Sequence, residues 1–266
     1  MKLRALPTAL SAASYTMTDL GSLGYGVSRG FGINAGGEVV GQSYTNKTIE
    51  VACGRHICTE HIYHAFSWAA GKMTDLGALG GAGSFSEAFA VNRAGDVAGG
   101  SGGDVFLVHD GKMTSLGPGS ASGISDLGEI AGGASGHAFV ISGGTRTTLP
   151  DLSNYGCCPV GLSGASGINN GHQVAGGSDN AQGYVHAVLW QNGTITGLGT
   201  LAGPRIAPFA QGTATAISNL GQVTGWAQTN SYATHGFVYS NGTMTGIGSI
   251  GPEAVNDHGV VAGYGP

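Results

Sequence analysis

One phrase recurs down this chain and limits what it can fold into. Residues 64–81 read HAFSWAAGKMTDLGALGG, and versions of it begin again at His137, His186 and His235. A further copy, VFLVHDGKMTSLG, starts at Val105 without the leading His. The [Lys/Thr]-[Met/Ile]-Thr-x-[Leu/Ile]-Gly part can be anchored at Met17, Met73, Met113, Arg146, Ile195 and Met244. A second phrase appears six times: GINAGGEVVG (32–41), AVNRAGDVAG (90–99), GISDLGEIAG (123–132), GINNGHQVAG (167–176), AISNLGQVTG (216–225) and AVNDHGVVAG (254–263). Self-similarity on a scale of roughly 20–50 residues is the signature of repeat architectures.

Each repeat offers four short β-type runs, called here a (AxxIN), b (EVVGQ), c (HAFSW) and d (KMTDLG). Asn, Asp and Gly separate a from b, and Asn-Gly, Asp-Gly or Gly-Gly separate c from d. These residues tolerate the left-handed backbone of tight hairpins. Four antiparallel strands per repeat predict an all-β, six-bladed β-propeller formed by residues 1–266 as a single domain. The Ala, Gly and Ser of the a runs suit a crowded innermost strand. The sixth repeat has only a and b. ALSAASYTMTDLG (9–21) aligns with AFSWAAGKMTDLG (65–77), so N- and C-terminal strands are expected to close the last blade, leaving no open edge.

Composition agrees with this. Glycine accounts for 52 of 266 residues and charged residues for 9%, with 41% hydrophobic and a net charge of −5. Frequent turns explain the glycine, while the apolar content is too high for a disordered chain. The ten Lys and Arg are scattered without a basic stripe, which argues against a nucleic-acid partner. No apolar run is long enough for a transmembrane helix.

The HAF–W–NG–MTDLG–LGG and GIN–G–VVG phrases resemble the HAF-family extracellular repeats of bacteria. The resemblance covers nearly the whole chain and implies a secreted or cell-surface protein. It brings no catalytic residues. The VFL of the third copy and the TRTTLP of the fourth depart from the pattern, and distortion is expected there.

The a–b and c–d turns are short throughout, whereas the b–c and d–a connections vary and share one face. The longest is expected to be a b–c loop, SYTNKTIEVACGRHICTEHIY (43–63); PDLSNYGCCPVGLSGAS (150–166) and TLAGPRIAPFAQG (200–212) follow. Variable loops on a rigid scaffold are where binding or catalysis concentrates. The recurrent His64, His137, His186 and His235 start c runs spread around the ring, so they are read as hydrogen-bonded ties and not as one site.

Cys53 and Cys58, with His56, His61 and His64 nearby, admit zinc, but the spacing matches no standard zinc pattern and a disulfide is preferred. Cys157 and Cys158 join them as disulfide candidates, and four cysteines allow three pairings. No metal and no cofactor is expected. Glu50, Glu60, Glu87, Asp151, Asp179 and Glu253 fall in or beside the variable connections, with Arg29, Arg55 and Arg205. Asp19, Asp75, Glu38, Asp96 and Glu129 recur in register and read as structural.

The leading functional expectation is a binding scaffold for a glycan or other extracellular polymer, using Arg55, His56, Glu60, His61, Tyr155, Arg205 and Tyr232. Tyr44, Tyr63, Phe85, Tyr184 and Phe209 add aromatic surface. One alternative is a glycan hydrolase or lyase with Glu60, His61 and Asp151 as candidate acid and base residues. The other is a self-assembling structural protein that forms homo-oligomers by exchange of terminal strands. MKLRALPTALSAAS admits two readings, a strand of the fold or a signal-peptide remnant within residues 1–13.

Overall fold

A computed structural model describes residues 16–81, 83–153 and 161–265. They form an all-β structure of 22 strands without a helix. The first sheet runs β1 (Ser28–Ile33), β2 (Val39–Cys53), β3 (His56–Ala69) and β4 (Lys72–Gly77), each strand paired to the next in chain order. The second holds β5 (Ser86–Val91), β6 (Val97–Ser101), β7 (Asp104–His109) and β8 (Lys112–Pro118). The third holds β9 (Ser120–Ile124), β10 (Ile130–Ala134), β11 (His137–Ser142) and β12 (Thr145–Thr148). The fourth holds β13 (Ser163–Ile168), β14 (Val174–Asp179), β15 (Val185–Gln191) and β16 (Thr194–Gly199). The fifth holds β17 (Gly212–Ile217), β18 (Val223–Gln228), β19 (Thr234–Ser240) and β20 (Thr243–Gly248). A last sheet contains β21 (Gly251–Val255) and β22 (Val261–Tyr264). All pairings within these sheets are antiparallel, and the strands follow the predicted a–b–c–d order.

The repeated residues explain the repeated structure. Between a and b, the Asn side chain folds onto its own turn. Asn34 Oδ1 accepts from the Gly36 and Glu38 amides, and Asn92, Asn169 and Asn256 do the same in their turns. Such Asx geometry replaces a strand ladder with a tight reversal. Asn34 and Asn169 also donate to the main-chain carbonyls of Asn92 and Ser218 in the next sheet, both at 2.9 Å.

The Gly of the second phrase has a steric reason. A Cβ on Gly99 would stand 1.9 Å from the Glu87 carbonyl and 2.7 Å from the Phe106 ring, and Gly132 and Gly225 are enclosed in the same way. The Phe of the HAF phrase fills that space: Phe66, Phe106, Phe139 and Phe237 are all essentially buried. Val188 holds the position in the fourth sheet.

The core lies between successive sheets. Val40 and Ala65 of the first pack with Val91, Val97 and Phe106 of the second. Ala98 and Val105 pack with Ile124, Ile130 and Phe139 of the third. Ala131 and Ala138 meet Ile168, Val174 and Trp190, and Ala175 and Ala187 meet Val223 and Phe237. Burial of these aliphatic and aromatic groups at roughly 25 cal/mol per Å² is the main stabilising contribution. Each a strand also neighbours the next, from β1 to β5, β9, β13, β17 and β21.

Two expectations are corrected. Residues 43–63 are not a loop: β2 and β3 run on as a hairpin arm, with an irregularity between Tyr44 and Thr48 and pairing resumed from Thr48↔His61 to Cys53↔His56. Alternating β-formers (TIEVAC against HICTEH) sustain the ladder, and Gly54 at φ 65° turns it. The departures in the third and fourth copies do not break their sheets. Phe106 keeps the buried aromatic, and Arg146 replaces Met by stacking 4.1 Å from the Phe139 ring centre while donating to the Pro118 and Leu116 carbonyls.

The expected closing segment, 9–21, lies only partly within the described residues. Among the described residues the sixth sheet has two strands, and Thr16–Gly21 lies in no strand, with Met17 almost fully exposed. The remainder of the expected closing segment, 9–15, is outside the described residues.

Candidate functional site

The variable connections emerge at the b–c and d–a ends of the sheets, and their richest chemistry stands on the first two. Along one face of the β2–β3 arm, strand pairing sets Tyr44 opposite Tyr63 and Thr48 opposite His61. Tyr25, from the segment before β1, lies flat on His61 at 3.6 Å between ring centres and 14° between planes. Tyr25 meets Tyr44 edge-on at 6.4 Å, Tyr44 meets Tyr63 at 5.8 Å, and Tyr63 meets Phe85 at 4.7 Å. The five rings form one continuous run. Edge and offset contacts at these separations are the favoured aromatic geometries.

The run ends at a cavity of about 210 Å³ whose lining includes Tyr63, Phe85, Glu87, Phe89 and Ser120. Phe31 meets Phe89 at 5.4 Å across the first two sheets. Burial pushes the Tyr63 hydroxyl pKa up, and the charges of Glu87 and Tyr44 push it further. Tyr63 therefore remains a neutral donor and acceptor beside the Glu87 carboxylate. An array of ring faces with a half-buried carboxylate can stack on and hydrogen-bond a polyhydroxylated chain.

At the arm tip, Cys53 and Cys58 form a disulfide with Cα atoms 5.8 Å apart. Their thiolates are therefore unavailable to zinc, and the disulfide reading holds. Arg55 and His56 are exposed beside it. Glu60 and His61 follow one another in β3, so their side chains point to opposite faces of the arm. Glu60 shares its face with Ile49 and His61 with Tyr25, and the two cannot converge on one bond.

Asp151 belongs to the connection after β12, where it accepts from Ser153 Oγ at 2.7 Å. The hydrolase candidates are thus divided between the first-sheet arm and the third-sheet connection. Arg205 is exposed in a turn before β17, near Phe209, which contacts Tyr184 edge-on at 5.8 Å. Tyr232 stands on the β18–β19 turn, half-exposed with a left-handed φ of 59°. Tyr184 and Phe209 form a second aromatic pair, between the fourth sheet and the connection to the fifth. Tyr155, Cys157 and Cys158 lie outside the described residues.

The recurrent histidines separate into kinds. His64 is buried with Nδ1 2.8 Å from Asp75 Oδ1, and Asp75 also accepts from the Gly77 amide at 2.8 Å. His186 takes a hydrogen bond from Asn180 Nδ2 at 3.0 Å, and burial lowers its pKa. His137 and His235 are partly buried. His64 and His186 therefore act as ties in different sheets. Glu38, Asp96 and Glu129, read as structural, are held near Asn34 and Ser67, near Asn92 and His109, and by His172, respectively.

Tyr25, Phe31 and Phe89 were missed by the reading of the sequence alone. A signal for two of them existed: Phe31 and Phe89 occupy a position filled by Ser122, Ser166, Thr215 and Glu253 in the other repeats. Each lies where the a–b ladder shifts register. In the third and fifth sheets that residue donates onward, Ser122 to the Ala165 carbonyl and Thr215 to the Pro252 carbonyl. Aromatics there forgo the tie and open ring surface instead. No protein-family model matches the chain, and no curated protein matches it.

Proposed function

We propose that the protein is a secreted or surface-exposed binding scaffold that recognises a glycan through the aromatic run from Tyr25 to Phe85. The observation that carries this reading is the unbroken sequence of five rings ending beside Glu87 and Tyr63. Sugar rings stack on aromatic faces with their C–H groups and bond carboxylates with their hydroxyls, and this surface offers both. The arm disulfide suits an oxidising compartment, in keeping with the resemblance to bacterial HAF-type extracellular repeats.

The scaffold in this reading is a six-bladed propeller. Its support is the sequential adjacency of the a strands and the single cavity that turns from all six repeats border. Closure of the sixth blade by the N-terminal segment is part of the proposal. Gly21 donates to Asp19 at 2.9 Å as Gly77 does to Asp75, Ser28 bonds the Gly21 carbonyl as Ser86 bonds that of Gly77, and Leu23 donates to Ser43 as Leu79 does to Ser101. Residues 19–28 thus repeat the end of a d strand and its passage into the next sheet.

A glycan-array screen, followed by pull-down on insoluble polysaccharides, tests the function. Retention by a defined glycan that is lost in Tyr63→Ala supports it. No binding, or binding unaffected by Tyr63→Ala and Tyr25→Ala, overturns it. Product release from a retained glycan would replace it with the hydrolase or lyase reading.

A further inference from the structure

The cavity of about 210 Å³ at the end of the aromatic run draws its lining from three successive sheets. Tyr63 comes from β3, Phe85, Glu87 and Phe89 from β5 and the residue before it, and Ser120 from β9. The first four are half-buried, and Ser120 is exposed at the mouth.

The fourth sheet has a corresponding cavity, of about 330 Å³. Strand pairing fixes the correspondence, since Glu87 pairs with Gly100 as Gly164 pairs with Gly177. Where the first cavity has Tyr63, Phe85, Glu87 and Phe89, the second has Gly136, Leu162, Gly164 and Ser166. Three rings and a carboxylate thus meet at one repeat, while another repeat folds with none of them at the same places.

The carboxylate has no internal cation. The ion pairs among the described residues use other carboxylates, and none joins Glu87 to Arg29, which holds the corresponding position in the first repeat. Hydrogen bonds around the cavity run through Ser86, which donates to the Gly77 carbonyl, and Ser101, which donates to that of Phe85. Among the described residues none reaches the Tyr63 hydroxyl or the Glu87 carboxylate, so both are left to water or to a ligand.

This chemistry selects a cation with N–H groups. Ring faces attract a positive charge through their quadrupoles, and a carboxylate adds a charge-assisted hydrogen bond. An anion would meet Glu87 with nothing to offset it. A quaternary ammonium would suit the rings but leave the oxygens of Tyr63, Glu87 and Ser120 without a donor. A primary ammonium supplies three donors. Ser120 Oγ stands over Gly100, where an added Cβ would lie 2.9 Å from it, so the glycine keeps that hydroxyl at the opening.

We propose that this cavity takes the protonated primary amine of an amino sugar, the ammonium held against Glu87 and the rings of Tyr63, Phe85 and Phe89. The assignment rests on the glycan-binding reading above and narrows it to a glycan carrying free amino groups. Neighbouring sugars of that chain continue along the rings from Tyr44 to Tyr25.

The test is calorimetric titration of the intact chain with short β-1,4-linked oligomers of glucosamine, N-acetylglucosamine and glucose, in mildly acidic buffer that keeps the sugar amine protonated. The glucosamine oligomer should bind about tenfold or more tightly than the other two, the contribution expected of a hydrogen bond between charged groups. Glu87→Gln, nearly isosteric, should bring the ratio of glucosamine to N-acetylglucosamine affinity close to one. Phe89→Ser installs the residue that the fourth repeat carries as Ser166, so the sheet should persist while glucosamine binding weakens several-fold. Nα-acetyl-lysine methylamide, an amine without a sugar, should bind far more weakly than the glucosamine oligomer. Equal or reversed affinities among the oligomers, or a glucosamine preference that survives Glu87→Gln, would overturn the amine site and leave the aromatic run as a glycan platform. A lysine derivative bound as tightly as the oligomer would overturn the sugar assignment. Binding of none of the oligomers would overturn the amine site too, and the wider reading would then stand or fall on the glycan array.

Discussion

Tyr25 lies flat on the imidazole of His61, 3.6 Å between ring centres, and so joins the segment before the first sheet to the disulfide-tipped arm. The contact carries the aromatic run from the arm across to the cavity at Glu87. It places the exposed arm and the segment entering the first sheet in one continuous surface.

Removing a ring from the middle of that run interrupts it without touching the intersheet core. Tyr63→Ala is expected to weaken glycan retention about tenfold or more, equivalent to about 1.4 kcal/mol. Tyr232→Ala, on the fifth sheet, should leave it unchanged. Affinity electrophoresis of the two variants in polysaccharide gels separates the contributions.

The disulfide encloses a short loop in an exposed arm, so its effect should be local. Loop-closure entropy for so short a segment contributes on the order of 2 kcal/mol. Cys53→Ser with Cys58→Ser should raise amide exchange in Thr48–Cys53 and His56–His61 while the global unfolding midpoint moves little. Exchange that remains slow in the double variant would show the arm to be held by its packing alone.

Two glycines in successive sheets provide a test of the repeat's steric logic. Gly99→Ala drives a Cβ to 1.9 Å from the Glu87 carbonyl, which backbone cannot yield cheaply. It is expected to destabilise by about 3 kcal/mol or more. At Gly133 the nearest atom to a Cβ is 4.0 Å away, and Gly133→Ala should be close to neutral. Denaturant midpoints of both variants check the contrast.

Two histidines should titrate in opposite directions from their usual value near 6.5. The Asp96 hydrogen bond, with the charges of Asp110 and Asp96, raises His109, whereas burial lowers His186. His109 therefore adds stability below pH 6.5 that is lost as the pH climbs through its raised folded value. His186 reverses the sign: the unfolded chain takes up its proton first, so stability present above pH 6.5 is lost as pH falls towards the lowered folded value. NMR titration should give midpoints above and below 6.5, respectively. The stability advantage of the native chain over His186→Gln should shrink on acidification.

The strand order was legible because it rests on local chemistry. Asn34, Asn92, Asn169 and Asn256 fold onto their own turns, and Gly99 and Gly132 are dictated by the carbonyl and ring beside them. These requirements act within a repeat, so they appear in the sequence as repetition. The disulfide was legible for the same reason, as Cys53 and Cys58 are brought together by one hairpin.

The candidate site was less legible because its parts come from different repeats and from the departures between them. Glu60 and His61 are neighbours in sequence and face opposite ways, since a strand alternates its side chains. Tyr25 and His61 are distant in sequence and touch.

The sequence by itself determined the repeat, the four-strand order and the small residues where backbone crowds backbone, because each depends on contacts within or next to one hairpin. Tertiary structure alone decided which aromatic rings meet and that residues 43–63 stand as a paired arm. Those outcomes depend on the register and packing of separate sheets, and pairwise distance across sheets is not encoded in any single repeat.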